Sequence, residues 1–209
     1  MRRFPKQRTS VRIVAGELRG RKMDCVVSAE LRPTPQMVRE AFFSILGNAI
    51  PERGFFDLFA GTGAFGFEAL SRQAAHCTFL ERDPQQVAHL QRYRDEFQVH
   101  AKAQIVRTDV YRWVERWQPP SEPINVYISP PFADLHERFD AVRYLIEHLQ
   151  EKIPAGSVLT LQAEAGFPED ALPGFNWDCR RYGRNLLMIW VKPEPMSTGS
   201  PVAESGSTN

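Results

Sequence analysis

Along most of the chain, short apolar runs alternate with longer segments whose apolar residues recur at helical spacing. Short apolar runs are typical of buried strands, whereas helical spacing predicts amphipathic helices. The predicted strands are FFDLFA, CTFLE, AQIVRT, INVYI and SVLTLQAEA, and the predicted helices cover residues 63–72, 84–97, 111–117 and 137–150. This alternation predicts an α/β fold with a parallel sheet and helices on both faces.

Both ends of the chain depart from this alternation. Near the N-terminus, VRIVAG and RGRKMDCVV predict two short strands of a hairpin around residues 17–20. Near the C-terminus, NWDCRRY and LLMIWVK are separated by Gly183, Arg184 and Asn185, as in an antiparallel hairpin. The Ser-, Gly- and Pro-rich residues from Glu194 onward predict a disordered tail.

Between the first hairpin and the sheet, LRPTPQMVREAFFSILGNAI predicts a helix. Thr34 is expected to cap this helix, and Pro35 fits its first turn. The predicted apolar face consists of Met37, Val38, Ala41, Phe42, Ile45 and Leu46. The chain is thus divided into a basic arm, hairpin and helix over residues 1–50, a main domain over 51–193 and a tail over 194–209.

The length and composition indicate one globular domain with a small appendage. The chain has 209 residues, of which 43% are hydrophobic. No apolar stretch approaches the length of a membrane span, and the N-terminus lacks the apolar segment of a secretory signal. The three cysteines are scattered and the five histidines dispersed, so we expect no metal site, no disulfide framework and a cytoplasmic location. Nothing in the pattern requires a dimer, and a monomer is expected.

The formal net charge of +1 conceals an uneven distribution. Residues 1–39 hold ten Lys or Arg and three Asp or Glu, whereas the remainder is acidic. A basic segment on an acidic body is typical of a polyanion-binding arm, with a solvated tail as the alternative. Within the predicted hairpin, the residues expected to bind nucleic-acid phosphates are Arg12, Arg19, Arg21 and Lys22.

The sequence DLFAGTGAFGFEAL contains Gly61, Gly63 and Gly66 in the Gly-x-Gly-x-x-Gly spacing, between a predicted strand and a predicted helix. In this position the spacing predicts a nucleoside-binding loop, because glycines let the backbone turn sharply and approach a ligand closely. The next strand ends at Glu81, twenty residues after Gly61. A carboxylate there can accept hydrogen bonds from two ribose hydroxyls, although Glu81 alone could be a solvated strand end.

Two further carboxylates distinguish between nucleoside cofactors. Asp57, four residues before Gly61, would repel the pyrophosphate of a nicotinamide cofactor and attract the ammonium group of an amino acid. S-adenosylmethionine carries such a group and is the expected cofactor. Asp109 follows the third strand, where it could accept a hydrogen bond from an adenine amino group or cap the next helix. Three acidic strand ends in succession favour the adenine role.

The fourth strand ends in Ser-Pro-Pro-Phe at residues 129–132. Tandem prolines fix two φ angles and restrict the preceding residue to extended geometry, so Ser129 is expected to be held rigidly at the edge of the sheet. The Ser129 hydroxyl and the Pro130 carbonyl could accept hydrogen bonds from an exocyclic amine, and Phe132 could stack on its base. The predicted catalytic residues are Ser129, Pro130, Pro131 and Phe132, and a rigid loop with a buried phenylalanine is the alternative.

These motifs resemble those of a known family. The Ser-Pro-Pro-Phe turn resembles a motif of methyltransferases that act on amino groups of nucleic-acid bases. In that motif, Asp, Asn or Ser is followed by two prolines and an aromatic residue. RIVAGELRGRKM, LRPTPQMVREAFFSIL, DLFAGTGAFGFEALSR and YGRNLLMIW resemble the bacterial small-subunit ribosomal RNA guanine-N2 methyltransferase family over residues 11 to about 193. The N-terminal stretches make the resemblance specific, since generic methyltransferases lack them.

The resemblance implies a Rossmann-like class I methyltransferase fold with a mostly parallel seven-stranded sheet and a reversed last strand. It also implies S-adenosylmethionine as cofactor and 16S rRNA of an assembling small subunit as substrate. The residues that it assigns to the cofactor are Asp57, Phe59, Gly61 and Gly63 around the methionine end, Glu81 at the ribose, Asp109 at the adenine, and Thr34. The residues assigned to RNA outside the hairpin are Arg32, Arg39 and Arg184.

The sequence departs from the family at two positions. The family usually has aspartate in place of Ser129 and threonine in place of Asn185. Aspartate can offset the positive charge that develops on the amine, and serine cannot. The serine therefore weakens the guanine-N2 assignment more than it weakens the assignment of methyl transfer. Related base methyltransferases use serine at this place, and some of them act on cytosine N4 in DNA.

Three other functions compete with rRNA methylation. A non-catalytic RNA-binding or assembly protein would bind RNA without methyl transfer. An amino-methyltransferase acting on another base, in RNA or DNA, is the second, although the short chain offers no separate DNA-recognition domain. A nicotinamide-dependent dehydrogenase explains neither Asp57 nor the Ser-Pro-Pro-Phe turn.

Overall fold

The computed structural model describes residues 7–27 and 34–195. The strands are β1 (Gln7–Arg12), β2 (Lys22–Val27), β3 (Gly54–Leu58), β4 (His76–Glu81), β5 (Ala103–Arg107), β6 (Ile124–Ile128), β7 (Val158–Glu164), β8 (Asp178–Tyr182) and β9 (Asn185–Val191). The α-helices are α1 (Gln36–Leu46), α2 (Ala64–Ser71), α3 (Pro84–Glu96), α4 (Val110–Arg116), α5 (Phe132–Glu137) and α6 (Phe139–Lys152). Short 3₁₀ turns occupy Gly47–Ala49 and Glu169–Ala171.

Seven strands form one mixed sheet in the order β5-β4-β3-β6-β7-β9-β8. The first five strands of this order are parallel, whereas β9 is antiparallel to both β7 and β8. The α/β fold, the reversed last strand and the separate N-terminal β1–β2 hairpin predicted from the sequence are therefore confirmed. The chain winds outward from β3 on one side and from β6 on the other, so a crevice opens between their carboxyl ends.

Alternate residues of β3 point to opposite faces of the sheet and enter two different hydrophobic clusters. Phe55 packs with Phe42 of α1 and belongs to the same cluster as Phe65 of α2. Phe56 packs on the other face with Trp113 and Trp117 around α4. Asp57 follows Phe56 and therefore faces the α2 side. This placement brings a carboxyl group to the helix that begins at the glycine-rich loop.

The N-terminal hairpin docks on α2 through backbone hydrogen bonds. The Glu68 carboxylate accepts hydrogen bonds from the backbone N–H groups of Val14 and Ala15, at 2.8 and 3.1 Å. The backbone oxygen of Ser71 accepts from the N–H of Glu17 at 2.8 Å. Gly16 has a φ of 82°, and a Cβ atom there would lie 1.7 Å from the Ser71 oxygen, so only glycine permits this approach.

The prediction that Arg39 contacts RNA is wrong, because its side chain is buried. Only 1% of the residue is exposed, and its guanidinium lies 3.7 Å from the Glu68 carboxylate and donates to the backbone oxygen of Arg12 at 2.6 Å. Burial lowers the pKa of Arg39, and the nearby Glu68 opposes that shift. Arg39 thus joins α1, α2 and the hairpin instead of reaching solvent.

Three local predictions around the helices are also wrong. Pro35, not Thr34, takes the N-cap position of α1, and no side chain caps that helix. Met37 is 61% exposed rather than part of the apolar face. The predicted 137–150 helix begins only at Phe139, as α6, and a separate short helix, α5, precedes it. Arg138 separates the two helices because its φ of −133° is not helical.

Some predicted features lie outside the described residues. They are Arg32, the first six residues of the basic arm and residues 196–209 of the predicted tail. Within the described ranges, no helix combines the length and apolar character needed to cross a bilayer.

Candidate active site

A cavity of about 560 Å³ opens at the carboxyl ends of β3, β4, β5 and β6. It lies at the crevice where ligands bind in open α/β sheets. The loop after each of these strands contributes to its wall, and Thr34 and Gln162 complete the wall on the β7 side. The lining includes Asp57, Phe59, Gly61, Glu81, Asp109, Ser129, Pro130, Pro131 and Phe132. Among the predicted cofactor residues, Gly63 does not line the cavity directly.

The glycine-rich loop is shaped by left-handed backbone angles. Phe59, Gly61 and Gly63 have φ values of 65°, 52° and 74°. Gly63 is the N-cap residue of α2, so its role is to start that helix. A Cβ atom at this position would lie 2.4 Å from Leu90, which leaves no room for a side chain. Phe59 is strained in this conformation, which a bulky residue adopts only when the surrounding structure enforces it.

The Glu81 carboxylate holds the loops around it by accepting three backbone hydrogen bonds. One oxygen accepts from the N–H of Gly61 at 2.8 Å, and the other accepts from Arg82 and Asp83 at 2.8 and 2.9 Å. The oxygen that accepts from Gly61 has one lone pair left for a further hydrogen bond, and Glu81 borders the cavity. Its predicted ribose contact stays a prediction that this position favours.

Asp57 is a buried carboxyl group beside the cavity. It is 2% exposed, and one oxygen accepts a hydrogen bond from the N–H of Gly66 at 2.9 Å. Burial raises its pKa to about 8, Glu81 adds to the shift, and the Gly66 hydrogen bond opposes it. A cation beside a buried carboxyl group of this kind would stabilise its ionised form, so the position of Asp57 suits a cationic ligand.

Asp109 caps α4. One of its oxygens accepts from the N–H groups of Tyr111 and Arg112 at 3.0 and 3.3 Å, so the helix-capping alternative drawn from the sequence is confirmed. Asp109 also borders the cavity together with Thr108. Its predicted contact with an adenine amino group is compatible with the cap, because the second carboxylate oxygen accepts none of the hydrogen bonds found among the described residues.

The Ser-Pro-Pro-Phe turn leads from β6 directly into α5. The N–H of Ser129 donates to the backbone oxygen of Leu58 at 3.3 Å, so this residue continues the pairing with β3 beyond the strand. Pro131 is the N-cap residue of α5, and its oxygen accepts from the N–H of Asp134 at 2.8 Å. Phe132 is 40% exposed at the cavity wall, which leaves its ring available for stacking.

A hydrogen-bonded pair that the sequence did not predict joins α4 to α5. The Tyr111 hydroxyl donates to the Asp134 carboxylate at 2.8 Å. The guanidinium of Arg138 lies 4.6 Å from the centre of the Tyr111 ring and 3.8 Å from Asp134. This set fixes the helix that follows the Ser-Pro-Pro-Phe turn.

A second unpredicted set lies on the β6–β7 side of the cavity. It consists of Thr34, Tyr127, Gln162 and Asn185, joined by side-chain hydrogen bonds. Tyr127 lies inside an apolar run that predicts only a buried strand. Thr34 and Gln162 are too far apart in sequence for any local pattern to pair them.

The predicted RNA-binding residues of the hairpin are on the surface. Arg12, Arg19, Arg21 and Lys22 are exposed, as is Arg184 in the β8–β9 turn. The guanidinium of Arg21 lies 5.8 Å from the centre of the Phe97 ring, which anchors one of these cations to α3. Among residues 7–27 and 34–195, His, Cys, Asp and Glu form no group arranged to hold a metal ion.

Comparison with known proteins identifies the family. The sequence profile described as Conserved hypothetical protein 95 matches residues 11–190, from the hairpin to the last strand of the sheet. The chain belongs to this family. A curated relative, Ribosomal RNA small subunit methyltransferase D of Haemophilus influenzae, is 37% identical over 131 residues, which cover 61% of this chain and 67% of the relative. The resemblance drawn from the sequence motifs is thereby confirmed at the level of the family.

Solved structures agree with the family assignment. The structure of yhhF from Escherichia coli covers 90% of this chain and is itself fully covered, with 26% identity and a TM-score of 0.71. An RNA methyltransferase from Salinibacter ruber, solved in complex with S-adenosyl-L-homocysteine, covers 80% of this chain, and 98% of it is covered in turn. Its 16% identity and TM-score of 0.57 indicate a shared fold. The Rossmann-like methyltransferase fold is therefore common to this family and to more distant methyltransferases.

The aligned segments of the curated relatives span about two thirds of their length. The family profile, which matches residues 11–190, includes both the glycine-rich loop and the Ser-Pro-Pro-Phe turn. The family match thus covers both halves of the cavity described above.

Proposed function

We propose that this member of the family transfers a methyl group from S-adenosylmethionine to an exocyclic amine of a base in the RNA of the small ribosomal subunit. The finer proposal is that the acceptor is the N2 amine of a guanine in 16S rRNA. The observation that carries both is the single cavity, which joins three acidic strand ends to the Ser-Pro-Pro-Phe turn. Curated relatives named for methylation of small-subunit rRNA support the substrate class.

The residues of the cavity fit S-adenosylmethionine. Asp57 offers a buried carboxyl group to the ammonium of the methionine end, where a cation would favour the ionised form of a group whose pKa burial raises to about 8. Glu81 and Asp109 follow on successive strands, where they can accept hydrogen bonds from the ribose and the adenine. The volume of about 560 Å³ is within the range of sites for molecules of this size.

The bound cofactor would supply a methyl group carried on a positively charged sulfur. The amine nitrogen would bond to the methyl carbon while the sulfur leaves as a neutral thioether, and one amine proton would pass to solvent. The protein's task is to orient the amine, whose lone pair is delocalised into the base. The Ser129 hydroxyl and the Pro130 carbonyl are acceptors for its two N–H groups, and the proline ring geometry holds them in place. Phe132 offers an exposed ring for stacking on the base.

The basic hairpin provides the RNA-binding surface in this proposal. Arg12, Arg19, Arg21 and Lys22 are exposed on an element that is anchored to α2, the helix that begins at the glycine-rich loop. RNA held by these residues would therefore be in a fixed relation to the cavity. The base must leave its stack to enter, unless the target is already single-stranded. The ribosomal substrate implies action in the cytoplasm.

The test is transfer of labelled methyl groups to small ribosomal subunits that lack this modification, followed by digestion to nucleosides. The expected result is label in N2-methylguanosine, and free 16S rRNA assayed in parallel reports whether assembly is required. Label in another nucleoside would keep methyl transfer and overturn the guanine assignment. Absence of label, with cofactor and RNA both shown to bind, would overturn the catalytic proposal and leave an RNA-binding assembly protein.

A further inference from the structure

The short helix α5 begins with Phe132, so the position of this helix sets the position of the Phe132 ring. A helix of 6 residues without a side-chain cap is not held in place by its own hydrogen bonds. Leu135 buries one side of α5 and is 3% exposed. The ion pair of His136 with Glu164 is exposed on both sides and contributes little. A further attachment is therefore needed to fix how α5 is turned at the cavity.

Asp134 supplies that attachment. Its backbone N–H donates to the Pro131 oxygen at 2.8 Å, and its carboxylate accepts from the Tyr111 hydroxyl at 2.8 Å. Asp134 is 8% exposed, so the second bond is made largely away from bulk water, where a hydrogen bond to a charged group is strong. Burial and then the bond to Asp134 raise the pKa of Tyr111, so the phenol keeps its proton and is the donor.

Tyr111 is itself held on the side of the cavity where the adenine is proposed to bind. Its backbone N–H donates to the Asp109 carboxylate at 3.0 Å, and its ring meets the Phe59 ring edge-on with centres 5.4 Å apart. A path of hydrogen bonds thus runs from Asp109 through Tyr111 and Asp134 to the Ser-Pro-Pro-Phe turn. This path joins the two halves of the cavity wall.

We infer that Tyr111 and Asp134 are positioning residues, which hold the Phe132 ring where it can stack on the target base beside the bound cofactor. The inference rests on the proposed function and extends it to a pair that needs no contact with the reacting atoms. Tyr111→Phe removes the hydroxyl alone, and the contact with Phe59 should keep the ring at the cavity wall. The change should act on the RNA base rather than on the cofactor, because the three acidic strand ends are untouched.

The test is a double-mutant cycle in the methyl-transfer assay on small ribosomal subunits. Phe132→Ala should lower kcat/KM for the subunits by about 10- to 100-fold, the usual effect of losing one base–aromatic stack. Tyr111→Phe should lower it by about 5- to 30-fold, with the dissociation constant for S-adenosylmethionine changed by less than about twofold. In the Phe132→Ala background, Tyr111→Phe should change kcat/KM by less than about twofold, because the ring that it positions is absent.

Two substitutions of Asp134 keep the test decisive if Tyr111→Phe is poorly folded. Asp134→Asn retains an oxygen that can accept from the Tyr111 hydroxyl, and its kcat/KM should stay within about threefold of the unsubstituted protein. Asp134→Ala removes the acceptor and should match Tyr111→Phe. Tyr144→Phe, at a phenol of α6 that is 48% exposed, is the matched control and should leave kcat/KM unchanged.

An equal loss from Tyr111→Phe in the unsubstituted and Phe132→Ala backgrounds would mean that the pair does not act through Phe132, and would overturn the inference. A loss of S-adenosylmethionine affinity in step with kcat/KM would indicate a merely structural role and would also overturn it. Unchanged kcat/KM in Tyr111→Phe would do the same, while methyl transfer by the unsubstituted protein would leave the proposed function intact. Absence of methyl transfer by the unsubstituted protein would overturn both.

Discussion

Replacing Ser129 with alanine should lower kcat for methyl transfer by about 100- to 1,000-fold, the usual cost of losing one preorganised group at a reacting centre. Affinity for S-adenosylmethionine should change by less than about twofold, because the acidic strand ends that would bind the cofactor are untouched. The change removes one of two acceptors for the amine while the prolines keep the turn rigid. The measurement is single-turnover transfer to small ribosomal subunits together with cofactor binding by calorimetry.

The control for this change is Ser44→Ala, at an exposed serine of α1, which should leave both quantities unaltered. If Ser129→Ala has the same kcat as the unsubstituted protein, the Ser129 hydroxyl is not used in catalysis. The Ser-Pro-Pro-Phe turn would then be the rigid loop that the sequence left as its alternative.

Glu68→Ala should lower the free energy of unfolding by about 3–5 kcal/mol, because it leaves a buried charge without its partner. Glu68 is fully buried, and its loss would strip Arg39 of its nearest carboxylate and the Val14 and Ala15 N–H groups of their acceptor. The pair it forms with Arg72, at 3.0 Å, would be lost as well. Urea unfolding at neutral pH measures the effect.

Glu147→Ala provides the comparison, since its pair with Arg143 spans 2.9 Å but is about half exposed on both sides. Exposed pairs of this kind contribute less than about 1 kcal/mol. Equal losses from the two substitutions would refute the view that Glu68 anchors the hairpin to α2. A Glu68→Ala protein that still folds but binds RNA with unchanged affinity would contradict the proposal that Glu68 fixes the position of the hairpin.

The order of strands and helices was predictable because each element carries its own signal. A buried parallel strand is apolar throughout, and the helices between strands show apolar residues at helical spacing. The acidic strand ends were predictable for a related reason. In a parallel sheet the carboxyl ends meet at one edge, so Asp57, Glu81 and Asp109 had to come together once the alternation was recognised.

Long-range polar contacts were not predictable, because nothing local marks them. Arg39 lies in a basic segment and was assigned to RNA, yet Glu68 draws it into the interior. Threonine is a residue type that often caps helices, yet the Thr34 hydroxyl donates to Gln162 on a distant strand. Tyr127 shares its strand with apolar residues, and only the three-dimensional fold reveals that its hydroxyl donates to Gln162 on the neighbouring strand.

The most direct test of the site is calorimetric titration of the protein with S-adenosylmethionine at about pH 7, one unit below the pKa of Asp57, in two buffers of different ionisation enthalpy. With a pKa of about 8, Asp57 is mostly protonated in the free protein, and an ammonium group beside it would lower that pKa below the working pH. The account predicts one saturable site, with release of close to one proton per cofactor in the natural protein and almost none in Asp57→Asn. Failure to bind, or the same heat in both buffers for the natural protein, would contradict the assignment of this cavity to S-adenosylmethionine with Asp57 at its ammonium end.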